Sequence, residues 1–182
     1  MVEVKNNFYG DVVLYKSNTL ESRLFRLFTH NIFTHSALRT SKTTARGLAK
    51  KGELLYSLNE PFERHSIYTI LRHKDITEEQ RKLMEEISKT LPEMYSTKII
   101  IRLGLGHLFD LDRTKSLDYP GFTCSSRIAY LYQAVGLEIG EIHYSQYEPQ
   151  DFLNENFEIE KVWKRNKDFS INNRIYKLKW KK

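Results

Sequence analysis

Asp118-Tyr119-Pro120-Gly121-Phe122-Thr123-Cys124-Ser125-Ser126 holds the single cysteine of a 182-residue chain, at a point where a turn gives way to a helix. Pro120-Gly121 forces the chain to reverse. From Cys124 onward, Ile128, Leu131 and Val135 follow at steps of four, three and four, the spacing of one helical face. Gly136 is a natural residue just past the end of that helix. A thiol at the first turn faces unpaired backbone N–H groups and the positive end of the helix dipole. Both favour thiolate over thiol and produce a nucleophile near neutral pH. The N–H groups of Cys124 and Ser125 can in addition hold an oxyanion formed on an attacked carbonyl. The structural alternative is a small core residue on the Ile128 stripe, since free cysteine is among the most buried residue types.

Outward from this segment the chain mixes helices and strands without βαβ regularity, which indicates the α+β class. Gly10-Asp11 leads as a turn into the β-rich run Val12-Val13-Leu14-Tyr15. Residues 19–28 read as a short helix or an irregular lid. Residues 33–40 and 53–58 read as strands separated by a polar, basic loop over 41–52, and 66–71 as a third strand. Residues 77–91 form the clearest helix. Thr77 and Gln80 make a capping box, Leu83, Met84, Ile87 and Leu91 fall on one face, and Pro92 marks the stop. Ile99, Ile100, Ile101, Leu103, Leu105, Leu108 and Phe109 either line a pocket for an acyl chain or belong to the ordinary core.

One cysteine excludes a disulfide framework and a Cys-rich zinc cluster. Hydrophobic residues at 40% and charged residues at 29% are ordinary globular usage. The length suits one domain over residues 1–182. The formal charge of +6 is unevenly placed: from Lys161 to Lys182 there are nine Lys or Arg against Asp168 alone, so the rest of the chain is close to neutral. Tyr176, Leu178 and Trp180 alternate with Ile175, Lys177 and Lys179, as in a solvated edge strand. The same basic stretch is a candidate contact for an anionic surface. With Trp163, Tyr176 and Trp180 it also interleaves aromatics and cations, but no nucleic-acid motif accompanies them. No apolar run approaches a membrane span, and no secretory signal is visible, so a cytoplasmic location is expected, with unconventional export left open.

A cysteine nucleophile needs a base and a group to orient that base. Of His30, His35, His65, His73, His107 and His143, only His35 lies within a strand-like run; His65 and His73 flank the third strand and are expected at the surface. His30 and His35, with four residues between them and Cys124 far along the chain, match no zinc-binding spacing.

Gly10-Asp11-Val12-Val13, then Thr34-His35-Ser36-Ala37, then Phe122-Thr123-Cys124-Ser125-Ser126 resemble, in that order, the YiiX/YebB-like proteins. These are the circularly permuted branch of the papain-like NlpC superfamily of cysteine hydrolases. Residues 54–61, residues 76–81, and Tyr147-Glu148-Pro149-Gln150-Asp151-Phe152 extend the likeness over about residues 8–165. Each motif is short, and the specificity lies in their order. The resemblance implies a permuted papain-like core, built on an antiparallel sheet or small barrel, with histidine before cysteine. It implies Cys124 as nucleophile and His35 as general base. The third position, usually a glutamate in the family, falls on Ser57; Asn59 shares that strand face, and Glu60 is one register step away. The implied activity is a cysteine hydrolase or acyltransferase acting on an amide, ester or thioester of a small peptide or lipid-like substrate, with no cofactor and no metal. A catalytically degenerate module that binds lipid or another anionic ligand is the alternative.

Overall fold

The computed structural model describes residues 8–17, 20–29, 31–58 and 65–164. Asn59, Glu60, His30 and the basic strand expected at 174–180 lie outside the described residues. Six strands form one antiparallel sheet: β1 (Val12–Ser17), β2 (His35–Arg39), β3 (Thr44–Ala49), β4 (Gly52–Ser57), β5 (His65–His73) and β6 (Phe157–Lys164). Their spatial order is β4-β3-β2-β1-β5-β6. Four helices accompany it: α1 (Leu20–Thr29), α2 (Glu78–Thr90), α3 (Thr97–Phe109) and α4 (Cys124–Ala134). The α+β class follows directly.

β1 is central, and both of its faces are buried, which is why its sequence is a continuous apolar run. Val12 and Leu14 join Leu38, Leu71, Met84, Ile128, Leu131 and Tyr132 in the larger core beneath α2 and α4. Val13 and Tyr15 join Ala37, Ala45, Tyr68 and Ile70 on the opposite face. The Tyr132 hydroxyl donates to the Gly10 carbonyl and fastens α4 to the start of β1.

Asp11 ties the remaining elements to this strand. Its carboxylate is fully buried and meets Arg39 of β2 at 3.2 Å, Arg72 of β5 at 2.8 Å and Arg81 of α2 at 3.1 Å. Glu160 of β6 supplies a second carboxylate, 2.8 Å from Arg39 and 3.3 Å from Arg72. The Arg39 guanidinium lies over the Phe8 ring at 4.0 Å. Burying one carboxylate among several guanidiniums is tolerable only because each charge has partners.

Three expectations are corrected. The stretch 41–52 is not a long loop, because β3 occupies its middle. Ser41 Oγ accepts from the Thr43 and Thr44 N–H groups at 3.1 Å, making a tight turn that launches the strand. Ala45, Gly47 and Leu48 are buried and only Arg46 is exposed, so the polar, basic composition hid a largely buried strand. Leu83 is 45% exposed: Met84, Ile87 and Leu91 face the core as expected, but Arg81, reaching Asp11, shares the inward side of α2 with them. His73 is buried: Nε2 donates to the Glu138 carbonyl at 2.7 Å, Nδ1 accepts from the Asp75 N–H at 3.2 Å, and Phe157 meets its ring edge-on. A buried imidazole with both nitrogens satisfied is structural. The capping box at Thr77 and Gln80 forms as the sequence predicts.

Replacing Asp11 by Asn leaves two buried guanidiniums, Arg39 and Arg81, short of their anion. The expected cost is about 3–5 kcal/mol of stability, read by urea unfolding followed by far-UV circular dichroism. A loss of less than about 1 kcal/mol, within ordinary surface effects, would show that the arginine cluster is dispensable.

Candidate active site

The turn before α4 can be made only with glycine. Gly121 has φ +84°, and a Cβ there would stand 2.5 Å from the Met94 carbonyl oxygen. This close approach pairs Phe122 with Tyr95 as a short parallel bridge and delivers Thr123 to the helix start. Thr123 caps α4: its side chain accepts from the Ser126 N–H at 3.1 Å, and Ser126 Oγ accepts from the Thr123 N–H at 2.7 Å. Arg127 N–H closes the first turn on the Thr123 carbonyl. No hydrogen bond among the described residues takes up the N–H groups of Cys124 and Ser125. These are the two groups the sequence nominates for holding an oxyanion.

Cys124 is 6% exposed, and the structure brings it to His35. Burial pushes the thiol up, but the His35 hydrogen bond and charge, then the Ser36 backbone, outweigh it and lower the pKa to about 7. The Ser36 hydroxyl contributes weakly; it is buried and has no conventional hydrogen-bond partner. The two readings of Cys124, core residue and nucleophile, are therefore compatible: its carbon skeleton is buried while its sulfur is polarised.

His35 opens β2 opposite Tyr15 of β1. The two rings stack at 5.3 Å with planes 16° apart, which fixes the imidazole against rotation. The Tyr15 hydroxyl in turn donates to Tyr56 at 2.8 Å. Nε2 of His35 lies 3.2 Å from Ser22 Oγ, on α1. Ser22 is thus the side chain that orients the histidine here. Ser57, the residue placed third by resemblance, is exposed and pairs with Thr44 beside the Ala45–Arg39 row. Along β2 that row is four residues from His35, about 13 Å, so the structure does not bring Ser57 to the imidazole.

Cys124, His35 and Ser22 border a cavity of about 420 Å³. Its walls are Phe25 of α1 and the α3 side chains Ile100, Ile101, Leu103, Leu105 and Leu108. The apolar stretch 99–109 accordingly divides its roles: Ile99 is core, 1% exposed, Leu103 serves both core and wall, and the others named are wall. Glu148 lines the cavity as well, though it is 1% exposed. Its carboxylate accepts from Asn31 Nδ2 and bonds His107 Nε2 of α3 at 2.7 Å, with Arg113 3.7 Å away. The His107 pKa is raised by the bond to Glu148 against the opposing effect of burial.

Sequence reasoning missed Ser22, Glu148 and the role of His107. Glu148 stands in a motif quoted for its family likeness, but neither its burial nor its meeting with His107 is written in local spacing. Among the described residues, no three His, Cys, Asp or Glu side chains gather to hold a metal, and no helix is long and apolar enough to cross a membrane.

No known protein-family model matches the chain, and no curated protein matches it. Among solved structures, the crystal structure of the metalloprotein YiiX from Escherichia coli O157:H7 is similar over 74% of this chain and 70% of its own, at 16% identity and a TM-score of 0.39. At that level the likeness carries no argument about the site.

The alkylation rate of Cys124 by iodoacetamide should rise with pH to a midpoint near 7. His35→Ala removes the lowering influence and leaves the burial, so its midpoint should move upward by at least one pH unit. Equal midpoints in the two proteins would contradict the Cys124–His35 pairing.

Proposed function

We propose that this protein is a cysteine-dependent acyl-transfer enzyme, a hydrolase or acyltransferase, on a permuted papain-like fold in which the histidine strand precedes the cysteine helix. The observation carrying this reading is a thiol at the start of α4, hydrogen-bonded to His35, at the border of a largely apolar cavity. The Cys124 thiolate attacks the carbonyl carbon of an amide, ester or thioester, and the electron pair moves to the carbonyl oxygen. The N–H groups of Cys124 and Ser125 hold that oxyanion. Collapse expels the leaving group, which takes the proton from the His35 imidazolium and leaves a thioester on Cys124. His35 then deprotonates water or an acceptor alcohol or amine, whose attack releases the acyl group and restores the thiolate. Ser22 and the Tyr15 ring hold the imidazole in place through both half-reactions.

The apolar walls favour a substrate whose acyl part is a hydrocarbon chain over a folded protein or a polar peptide. Each methylene buried along such walls is worth about 0.8 kcal/mol at most.

Turnover of p-nitrophenyl acetate, butyrate and octanoate measures both parts of the proposal. kcat/KM should rise on the order of tenfold or more from acetate to octanoate. His35→Ala should lower it by about 10²–10⁴-fold, and Cys124→Ala should abolish it. Turnover in Cys124→Ala equal to wild type would refute the enzyme reading. So would no turnover in wild type with a long-chain fatty acid still protecting Cys124 from alkylation, which is the behaviour of a degenerate binding module.

A further inference from the structure

Helix α3 is apolar on two sides. Ile99, Leu103 and Gly106 face the interior. On the far side, Ile101 is 59%, Leu105 42%, Leu108 57% and Phe109 69% exposed, with Leu111 beyond the helix end at 37%. An ordinary surface helix carries charge on its outward face; one that is apolar all round belongs in a core or against lipid. Helix α1 packs against α3 and adds Leu27, 66% exposed. Exposed apolar side chains thus stand on both of the packed helices that wall the cavity.

Cations accompany this surface. Arg23 and Lys98 are exposed, one on each helix. Lys16, Arg23 and Arg26 form a like-charge cluster. Burial first, then the charge of Arg26, lowers the Lys16 pKa; burial first, then the charge of Arg23, lowers that of Arg26. Among the described residues none of the three is paired with a carboxylate; Arg26 donates instead to the Ser17 carbonyl at 3.0 Å. Asp110 and Asp112 lie past the other end of α3, and Asp112 is engaged by Lys115 at 3.4 Å.

We propose that the α1–α3 face docks onto an anionic lipid bilayer, with Leu27, Ile101, Leu105, Leu108 and Phe109 entering the headgroup–acyl boundary and the cations of α1 against the headgroups. The combination of exposed apolar side chains and positive charge that no described carboxylate pairs is that of an interfacial element. A second copy of the chain is a poorer occupant, since two-fold pairing through this face would set two copies of the cationic cluster near each other. Because Ile101, Leu105 and Leu108 also line the cavity, docking sets its wall against the membrane, where a lipid acyl chain can pass in without crossing water. This deepens the proposed acyl-transfer function by naming its substrate as membrane lipid, and it rests on that reading for the substrate alone.

The test is co-sedimentation of the full chain with large unilamellar vesicles of phosphatidylcholine, with and without 25% phosphatidylglycerol, at low and high salt. Binding should require phosphatidylglycerol and weaken at least tenfold between 50 and 500 mM NaCl. Leu27→Ser with Phe109→Ser, neither of which lines the cavity, should weaken it at least tenfold with an unchanged melting temperature; Arg23→Glu with Lys98→Glu should do the same. Cys124→Ala should bind as wild type, so membrane docking and chemistry fail separately. Absence of binding to both vesicle types, or binding indifferent to the two double variants, would overturn the proposal. A wild-type dimer that Leu27→Ser/Phe109→Ser converts to monomer, with no vesicle binding, would overturn it in favour of a second copy.

Discussion

The buried carboxylate of Asp11 is the constraint on which the sheet and its helix layer depend. It draws one arginine from β2, one from β5 and one from α2 onto the first residues of the central strand. These elements are between 28 and 70 residues away in sequence, so the cluster joins parts that local propensity leaves independent. Replacing a matched buried cluster by apolar residues is often nearly neutral, whereas removing one partner is costly because it leaves an uncompensated buried charge. Here the matched arrangement fixes β1 between β2 and β5 and sets α2 over Gly10 and Tyr9.

The site inherits its geometry from that frame. Once β1 and β2 are in register, Tyr15 stands opposite His35, and the stacked rings present one imidazole orientation. Once α4 is pinned through Tyr132 to Gly10, and its start is fixed by Gly121 and the Thr123–Ser126 box, the Cys124 sulfur meets that imidazole. The thiol is then governed by two opposing influences: burial, which favours the neutral form, and His35 with the Ser36 N–H, which favour the anion. The second wins, leaving a pKa of about 7, low enough for a substantial thiolate fraction near neutrality and high enough to preserve nucleophilicity.

The parts of this arrangement that are local in the chain were legible in it. The helix starting at Cys124, its stripe of Ile128, Leu131 and Val135, the Thr77 capping box and the strand bearing His35 each rest on neighbours within a few residues. What was not legible depends on distant pairing. β3 is largely buried, but its Thr, Arg and Gly residues read as loop composition. The orienting group of His35 comes from Ser22, thirteen residues away on a helix that sequence left between helix and lid. Glu148 finds His107 across 41 residues. Ser57 was placed by motif likeness, and the β2–β3–β4 register carries it to the other end of the ladder. In sequence the apolar stretch 99–109 reads as either pocket or core; only its packing against α1 and Tyr144–Gln146 shows that one helix does both.

The central claim is that Cys124 carries the acyl group in turn with His35. Rapid-quench intact-mass analysis with p-nitrophenyl octanoate as substrate, followed by peptide mapping, tests it most directly. The account predicts one octanoyl adduct per chain, hydroxylamine-sensitive as a thioester and located on Cys124, forming more slowly in His35→Ala. Turnover without any adduct, or an adduct on another residue, would contradict it.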